Sequence, residues 1–70
     1  MKYPNIEAER ARIGMTKQDL AEILNVTPKT LGNWQSGKTP IPTNALVSMR
    51  KLFNRSIDYL LGFDSGKQSA

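Results

Sequence analysis

Apolar residues recur three and four positions apart along most of this chain. One stripe comprises Leu20, Ala21, Ile23 and Leu24, and a longer one comprises Leu46, Val47, Met49, Leu52 and Phe53. Such spacing places side chains on one face of a helix, whereas no useful run alternates apolar and polar residues as a strand would. The pattern therefore predicts an all-α protein, a compact five-helix domain with one shared core.

Residues that start and stop helices divide this pattern into five short segments. Thr16 followed by Asp19 is typical of a capping box, and Thr27 before Pro28 places proline at a first helical position, where it is tolerated. The predicted N-caps are Asn5, Thr16, Thr27, either Thr43 or Asn44, and Ser56. The predicted helix ends are Gly14, Asn25, Gly37, Asn54 and Gly62. Residues 38–42, with two prolines, are predicted to form an extended loop.

The second and third helices are joined so closely at Asn25–Val26 that they form a predicted helix-turn-helix. Such a motif places its second helix in the major groove of DNA. At helical spacing, Leu31 and Trp34 define the buried side of that helix, and its opposite side carries Lys29, Asn33 and Ser36. Lysine donates to guanine edges and asparagine bridges adenine edges, so this row is a candidate for base recognition. The alternative is an ordinary hydrated helix face.

Composition narrows the range of functions. Seventy residues hold one small core, and the absence of cysteine and histidine removes disulfides, thiolate metal sites and the commonest proton-transfer side chain. No nucleophile–base pair, metal-ligand cluster or phosphate-binding glycine loop is evident. We therefore predict no catalytic residue, no cofactor and no metal site, and an enzyme is the weakest of the functions considered.

Charge is unevenly distributed along the chain. Ten Lys and Arg against six Asp and Glu give a net charge of +4, but residues 25–57 contain no acidic residue. Their cations are Lys29, Lys38, Arg50, Lys51 and Arg55. A polarised basic surface indicates a polyanionic partner such as nucleic acid. On charge alone, a solvated basic face without a ligand is an equal alternative.

The stretch from Ile6 to Gly62 resembles the lambda-repressor-like helix-turn-helix family, also called the xenobiotic-response-element family, of bacterial and phage regulators. The matching segments are Ala8–Thr16, Leu20–Glu22, Asn33–Lys38 and Ile57–Gly62. The resemblance implies base contacts from Thr27, Pro28, Lys29, Gly32 and Asn33. It implies phosphate contacts from Arg10, Thr16, Lys17, Ser36, Lys38 and Thr43.

Three positions depart from the family's pattern. Asn25 stands in the turn where glycine is common, but asparagine also adopts positive φ, so we expect the turn to survive. Lys17 stands where glutamine is frequent, so we expect a direct lysine–phosphate contact in place of the usual one. Gln35 stands where many members have a glutamate that pairs with an arginine like Arg10. Because a neutral amide cannot form that ion pair, we expect Arg10 to be freer for DNA.

The sequence thus predicts a DNA-binding domain at residues 1–62 and a flexible polar tail or linker at residues 63–70. The predicted function is a sequence-specific transcriptional regulator, a repressor that binds a palindromic operator in double-stranded DNA as a homodimer. The alternative is an antitoxin-like protein-interaction module with the same fold. No apolar run is long enough to span a membrane, so we expect a cytoplasmic protein without a membrane partner.

Two structural questions stay open at this stage. The fifth helix, with Ile57, Tyr59, Leu60 and Leu61, contributes either to a dimer surface or to the core. The chain is either a complete small regulator or the N-terminal module of a longer repressor with a further domain or protein partner.

Overall fold

The computed structural model describes residues 1–63, which form five helices and no strand. The helices are α1 (Pro4–Arg12), α2 (Lys17–Ile23), α3 (Pro28–Ser36), α4 (Thr43–Phe53) and α5 (Ile57–Leu61). The predicted all-α, five-helix architecture is confirmed. Of the tail predicted at residues 63–70, all but Phe63 lies outside the described residues. Within residues 1–63, no helix is long and apolar enough to cross a membrane.

Three of the predicted N-caps make the expected hydrogen bonds. The hydroxyl of Thr16 accepts from the Asp19 amide at 3.0 Å, and the Asp19 carboxylate accepts from the Thr16 amide at 3.1 Å, which completes a capping box. The hydroxyl of Thr27 accepts from the Thr30 amide at 3.2 Å. Ser56 caps α5 in the same way. Each such cap stabilises the domain by about 0.5–2 kcal/mol relative to alanine.

The other two predicted caps are wrong. Helix α1 begins two residues earlier than predicted, at Pro4, with Tyr3 in the N-cap position. Asn5 instead donates from its side chain to the Tyr59 carbonyl at 2.7 Å, which ties α1 to α5. Neither Thr43 nor Asn44 caps α4, because Pro42 takes the extended N-cap conformation and Thr43 is the first helical residue. In both cases proline's fixed φ moves the helix start away from the residue with capping chemistry.

Left-handed residues close the helices where the sequence predicts. Asn25 has φ of 60° in the turn between α2 and α3, so asparagine adopts the conformation that usually requires glycine. The Val26 amide then donates back to the Ala21 carbonyl at 2.9 Å, which draws the chain directly into the Thr27 cap. This tight turn sets the angle between the two helices.

One core joins all five helices. Its buried members are Ile6, Leu20, Ala21, Leu31, Trp34, Ala45, Met49, Phe53 and Leu60. Helix α5 packs against both α1 and α4, and Leu60 is fully buried, so at least this residue of α5 belongs to the core. Val47 and Ile23 depart from their predicted apolar stripes, being 38% and 52% exposed. Both lie at the edge of a stripe on a short helix, where the core does not reach around the helix.

A buried carboxylate links α1 to α5. Glu9 is 3% exposed and accepts from Arg12 at 2.8 Å and from the Tyr59 hydroxyl at 3.1 Å, with Arg55 at 3.5 Å. Burial opposes ionisation of Glu9, but these hydrogen bonds and charges outweigh it and lower the pKa of Glu9. The phenolic pKa of Tyr59 is raised, because partial burial disfavours its ionised form and its hydroxyl donates to the ionised Glu9. Glu9 is therefore a structural ion-pair centre.

Candidate nucleic-acid interface

The outer face of α3 carries the residues predicted to contact bases. Leu31 and Trp34 are buried, as predicted, so they fix the rotation of the helix about its axis. The residues on the other side are Thr27, Pro28, Lys29 and Gly32, which are exposed, and Asn33, which is half-buried. A Cβ built on Gly32 meets nothing within 4 Å, so this part of α3 has open space in front of it. The structure thus presents an unobstructed helix face two turns long.

Hydrogen bonds at the start of α3 leave its lysine unengaged. The hydroxyls of Thr27 and Thr30 lie 3.0 Å apart, and Thr27 also caps the helix. Pro28 has no amide hydrogen to donate. Lys29 is exposed and takes part in no ion pair among residues 1–63. Its ammonium group is the one flexible, charged donor that the first turn of α3 offers to a ligand.

The C-terminal end of α3 is held by the main-chain carbonyl of Asn33. This oxygen accepts from the Ser36 hydroxyl at 3.1 Å, the Lys38 amide at 2.9 Å and the Thr39 amide at 3.3 Å. Lys38 itself is exposed. The proton of the Ser36 hydroxyl is already engaged, so Ser36 can bind a phosphate through this group only if that hydrogen bond is exchanged.

The helices before and after α3 in the chain, α2 and α4, each begin at residues predicted to contact phosphate. At the start of α2, Lys17 is exposed, and the Thr16 hydroxyl is engaged in the capping box. At the start of α4, Thr43 is exposed and no side chain caps the helix. First-turn amides without a side-chain cap are suited to binding an anion, because the helix dipole adds a partial positive charge there.

Arg10 is not free, which corrects the expectation drawn from Gln35. Its guanidinium pairs with Glu7, one turn earlier on α1, and donates to the Met15 carbonyl. Its side chain is 17% exposed. The hydrogen bond from Arg10 lowers the pKa of Glu7 although partial burial opposes this, and the Arg10 and Lys17 charges add to the effect. Glu7 therefore takes the place of the glutamate that pairs with such an arginine in other family members.

Gln35 instead anchors the N-terminal arm, residues 1–3, to α3. Its side-chain amide accepts from the Tyr3 amide at 2.8 Å and donates to the Tyr3 carbonyl at 3.0 Å. The Lys2 amide donates to the Gln35 carbonyl at 2.7 Å. The arm thereby carries the Lys2 side chain to Gly37, within 3.4 Å of where a Cβ of that glycine would lie. Sequence reasoning missed Lys2, because only the fold brings the arm to the end of α3.

The cations of the acid-free stretch lie on two separate segments of the fold. Lys29 and Lys38 belong to α3 and the turn that follows it. Arg50, Lys51 and Arg55 lie at or just beyond the C-terminal end of α4. At 1.5 Å per residue, Arg50 and Lys51 lie about 10 Å or more along the α4 axis from Thr43. The basic charge is therefore not all concentrated on the face of α3.

Three comparisons with known proteins agree with this geometry. A helix-turn-helix family model matches residues 6–60. The HTH-type transcriptional regulator ImmR of Bacillus subtilis (strain 168) is 34% identical over 59 residues, which cover 84% of this chain and 46% of that protein. The chain thus spans about half the length of this curated relative.

A solved structure shares the arrangement of the helices. It is that of the P22 c2 repressor protein in complex with synthetic operator 9T in the presence of Tl⁺. The TM-score is 0.71 at 25% sequence identity, and the match covers 84% of this chain and 89% of the repressor chain. The family match and the shared fold confirm the resemblance seen in the sequence: the chain belongs to the helix-turn-helix family, in its lambda-repressor-like form.

Proposed function

We propose that this chain binds double-stranded DNA sequence-specifically and acts as a transcriptional repressor. The observation that carries the proposal is the open outer face of α3, held in place by the buried Leu31 and Trp34 on a helix-turn-helix. The relative is named a transcriptional regulator, and the structural neighbour is a repressor in complex with an operator, which supports the same function. The proposal includes no catalysis, cofactor or metal. A cytoplasmic location is part of it.

Base recognition is assigned to the outer face of α3. Lys29 donates to the acceptors of a guanine edge, and the half-buried Asn33 amide pairs with the donor and acceptor of an adenine edge. Gly32 lets the helix backbone approach the bases. Thr27 and Pro28 lie at the end of α3 that enters the major groove first in modules of this kind.

Phosphate binding is assigned to groups at the starts of α2 and α4 and at the end of α3. Exposed Lys17 and Lys38 supply charge, and the uncapped amides at Thr43 supply donors. Thr16 and Ser36 contribute if their present hydrogen bonds rearrange. Arg10 contributes chiefly by holding Glu7, which would otherwise repel a phosphate beside Lys17. These contacts fix the position of the protein on the duplex without reading its sequence.

A homodimer is the assembly we propose on DNA. A single module of this size reads few base pairs, whereas two copies about one helical turn apart multiply both affinity and specificity. A two-fold symmetric dimer would require a palindromic operator. When that operator overlaps a promoter, the bound dimer would exclude RNA polymerase.

A selection from a random duplex library at physiological salt tests this function. The purified chain and its Asn33→Ala and Lys38→Ala variants are each used to enrich binding duplexes, which are then sequenced. The first variant removes a proposed base contact and the second a proposed phosphate contact, so the two serve as controls for each other.

The expected result for the unaltered chain is an enriched inverted repeat. Asn33→Ala should relax preference at matching positions of both half-sites, at a cost of about 1–3 kcal/mol for the preferred base. Lys38→Ala should weaken all sequences alike and reduce the slope of log affinity against log salt by about one. Equal loss of sequence preference in both variants would contradict the assignment, and an absence of enrichment would favour the protein-interaction alternative.

A further inference from the structure

A cavity of about 180 Å³ lies along α3, bounded also by the N-terminal arm, α1, α2 and the loop before α4. The exposed Pro28 and Gly32 form part of its wall, so it opens beside the outer face of α3. Its walls include five buried apolar side chains, which are Ile6, Leu20, Leu31, Trp34 and Met49. An apolar cavity of roughly 150 Å³ is known to bind benzene. The volume and the lining therefore suit one six-membered aromatic ring.

The rim of the cavity carries an excess of positive charge. Glu7, Arg10 and Lys17 are its charged members. The negative charge of the Glu7 carboxylate is balanced by its hydrogen-bonded ion pair with Arg10. Lys17 is exposed and makes no ion pair within residues 1–63. One ammonium group at the rim is thus available to an anionic group on a ligand.

We propose that this cavity is a binding site for a small aromatic carboxylate. The ring packs against Leu31 and Trp34, and the carboxylate pairs with Lys17. A neutral aromatic ring would leave the Lys17 charge unused, and a charged group on the inner side of the ring would be buried among apolar side chains without a partner. The cavity thus favours a single ring with one acidic group at its outer end.

Occupation of this site has a consequence for DNA binding, and this consequence alone rests on the proposed function. Lys17 is assigned both to the ligand carboxylate and to a DNA phosphate, so the two anions compete for the same ammonium group. The coupling is reciprocal, since a ligand that weakens DNA binding must itself be bound more weakly by the DNA complex. The ligand would act as an inducer of a repressor.

Binding to the free protein is measured by NMR titration with benzoate. Trp34 is the chain's one tryptophan and lines the cavity, so its indole N–H resonance reports occupation directly. Benzyl alcohol, at matched ionic strength, serves as the neutral probe of the same ring. We expect saturable shifts with both probes and tighter binding of benzoate.

Three variants locate the two parts of the ligand. Lys17→Gln should weaken benzoate about twofold to fivefold, the range for an exposed ion pair, and leave benzyl alcohol unchanged. Lys51→Gln, at the far end of α4, is the matched control and should change neither affinity. Ile41→Phe adds volume at the half-buried loop side chain that lines the cavity, and should abolish binding of both probes.

The proposal is overturned if neither probe produces a saturable shift, or if Lys17→Gln leaves benzoate affinity unchanged. Undiminished binding to a folded Ile41→Phe variant would place the ligand elsewhere. Should that variant not fold, Lys17→Gln remains decisive because it alters only an exposed side chain. Finally, saturating benzoate should weaken binding of the selected duplex, and an unchanged DNA affinity would refute the competition while leaving the site intact.

Discussion

Replacement of Gly32 by alanine separates stability from DNA binding at one position of α3. Gly32 lies in the interior of the helix and is exposed, and an added Cβ has no atom within 4 Å. Glycine in such a position costs about 0.8–1 kcal/mol relative to alanine, because it loses more backbone entropy on folding. Gly32→Ala should therefore raise the free energy of unfolding by that amount.

This gain is large enough to measure in a domain of this size. A change of 1 kcal/mol shifts the melting temperature of a 60–100-residue domain by about 4–8 °C, so we expect an increase of about 3–8 °C. Urea unfolding followed by far-UV circular dichroism gives the free energy independently. Ser48→Ala, on the exposed surface of α4, is the matched control and should add about 0.5 kcal/mol or less.

The same variant should bind the selected duplex less well. If α3 approaches the bases at Gly32, the new methyl group fills the space that the contact needs, at a cost of about 1–3 kcal/mol. Ser48→Ala should leave DNA affinity unchanged. A lower free energy of unfolding in Gly32→Ala would refute the claim that position 32 is an open helix-interior position that accepts a Cβ. A gain in stability with unaltered DNA affinity would refute the close approach of α3 to the bases.

Three further predictions concern stability. Glu9→Gln should cost about 1–3 kcal/mol by urea unfolding at neutral pH. The folded-state pKa of Glu9 lies below its ordinary value of 4.5. Ionised Glu9 therefore stabilises the fold above pH 4.5, and this stabilisation is lost as pH falls through the folded-state pKa. Glu9→Gln should accordingly weaken the dependence of the free energy of unfolding on pH in the acid range. Thr27→Ala should cost about 0.5–2 kcal/mol in the same assay and Thr27→Ser much less, because serine keeps the cap; equal losses would contradict this. Phe53 is 2% exposed, so Phe53→Ala should lower the free energy of unfolding by about 3–5 kcal/mol. The far-UV circular dichroism of this variant should show little helix at about 25 °C, whereas a cooperative melt near the parent temperature would contradict the core role of Phe53.

Local chemistry accounts for the features that were predicted correctly. The capping hydrogen bonds of Thr16 and Thr27 join residues three positions apart. The left-handed conformation of Asn25 is a property of a single residue, and the burial of Leu31 and Trp34 follows from helical spacing. Such interactions form within one helical turn, so residue order alone was sufficient to predict the five helices, the helix-turn-helix and the outer face of α3.

Errors arose where several local arrangements were acceptable. Asn5 has capping chemistry, but α1 begins at Pro4, two residues before the start that an Asn5 cap predicts. In the family's pattern an arginine like Arg10 pairs with a glutamate at the position of Gln35, but this chain also has Glu7 one helical turn before Arg10. With glutamine at position 35, Glu7 became the partner, so the absence of one ion pair did not release the arginine.

The sequence by itself determined the helices, the turn between α2 and α3, and the residues that α3 turns outward, because each depends on neighbours within about four positions. Tertiary structure decided that Gln35 holds Tyr3, 32 positions away, and that Asn5 holds Tyr59, 54 positions away. It also placed Lys2 beside the end of α3 and Arg55 beside Glu9 of α1, and it left a cavity between α3 and α1. These features depend on how helices of fixed length pack together, and no short-range pattern records that geometry.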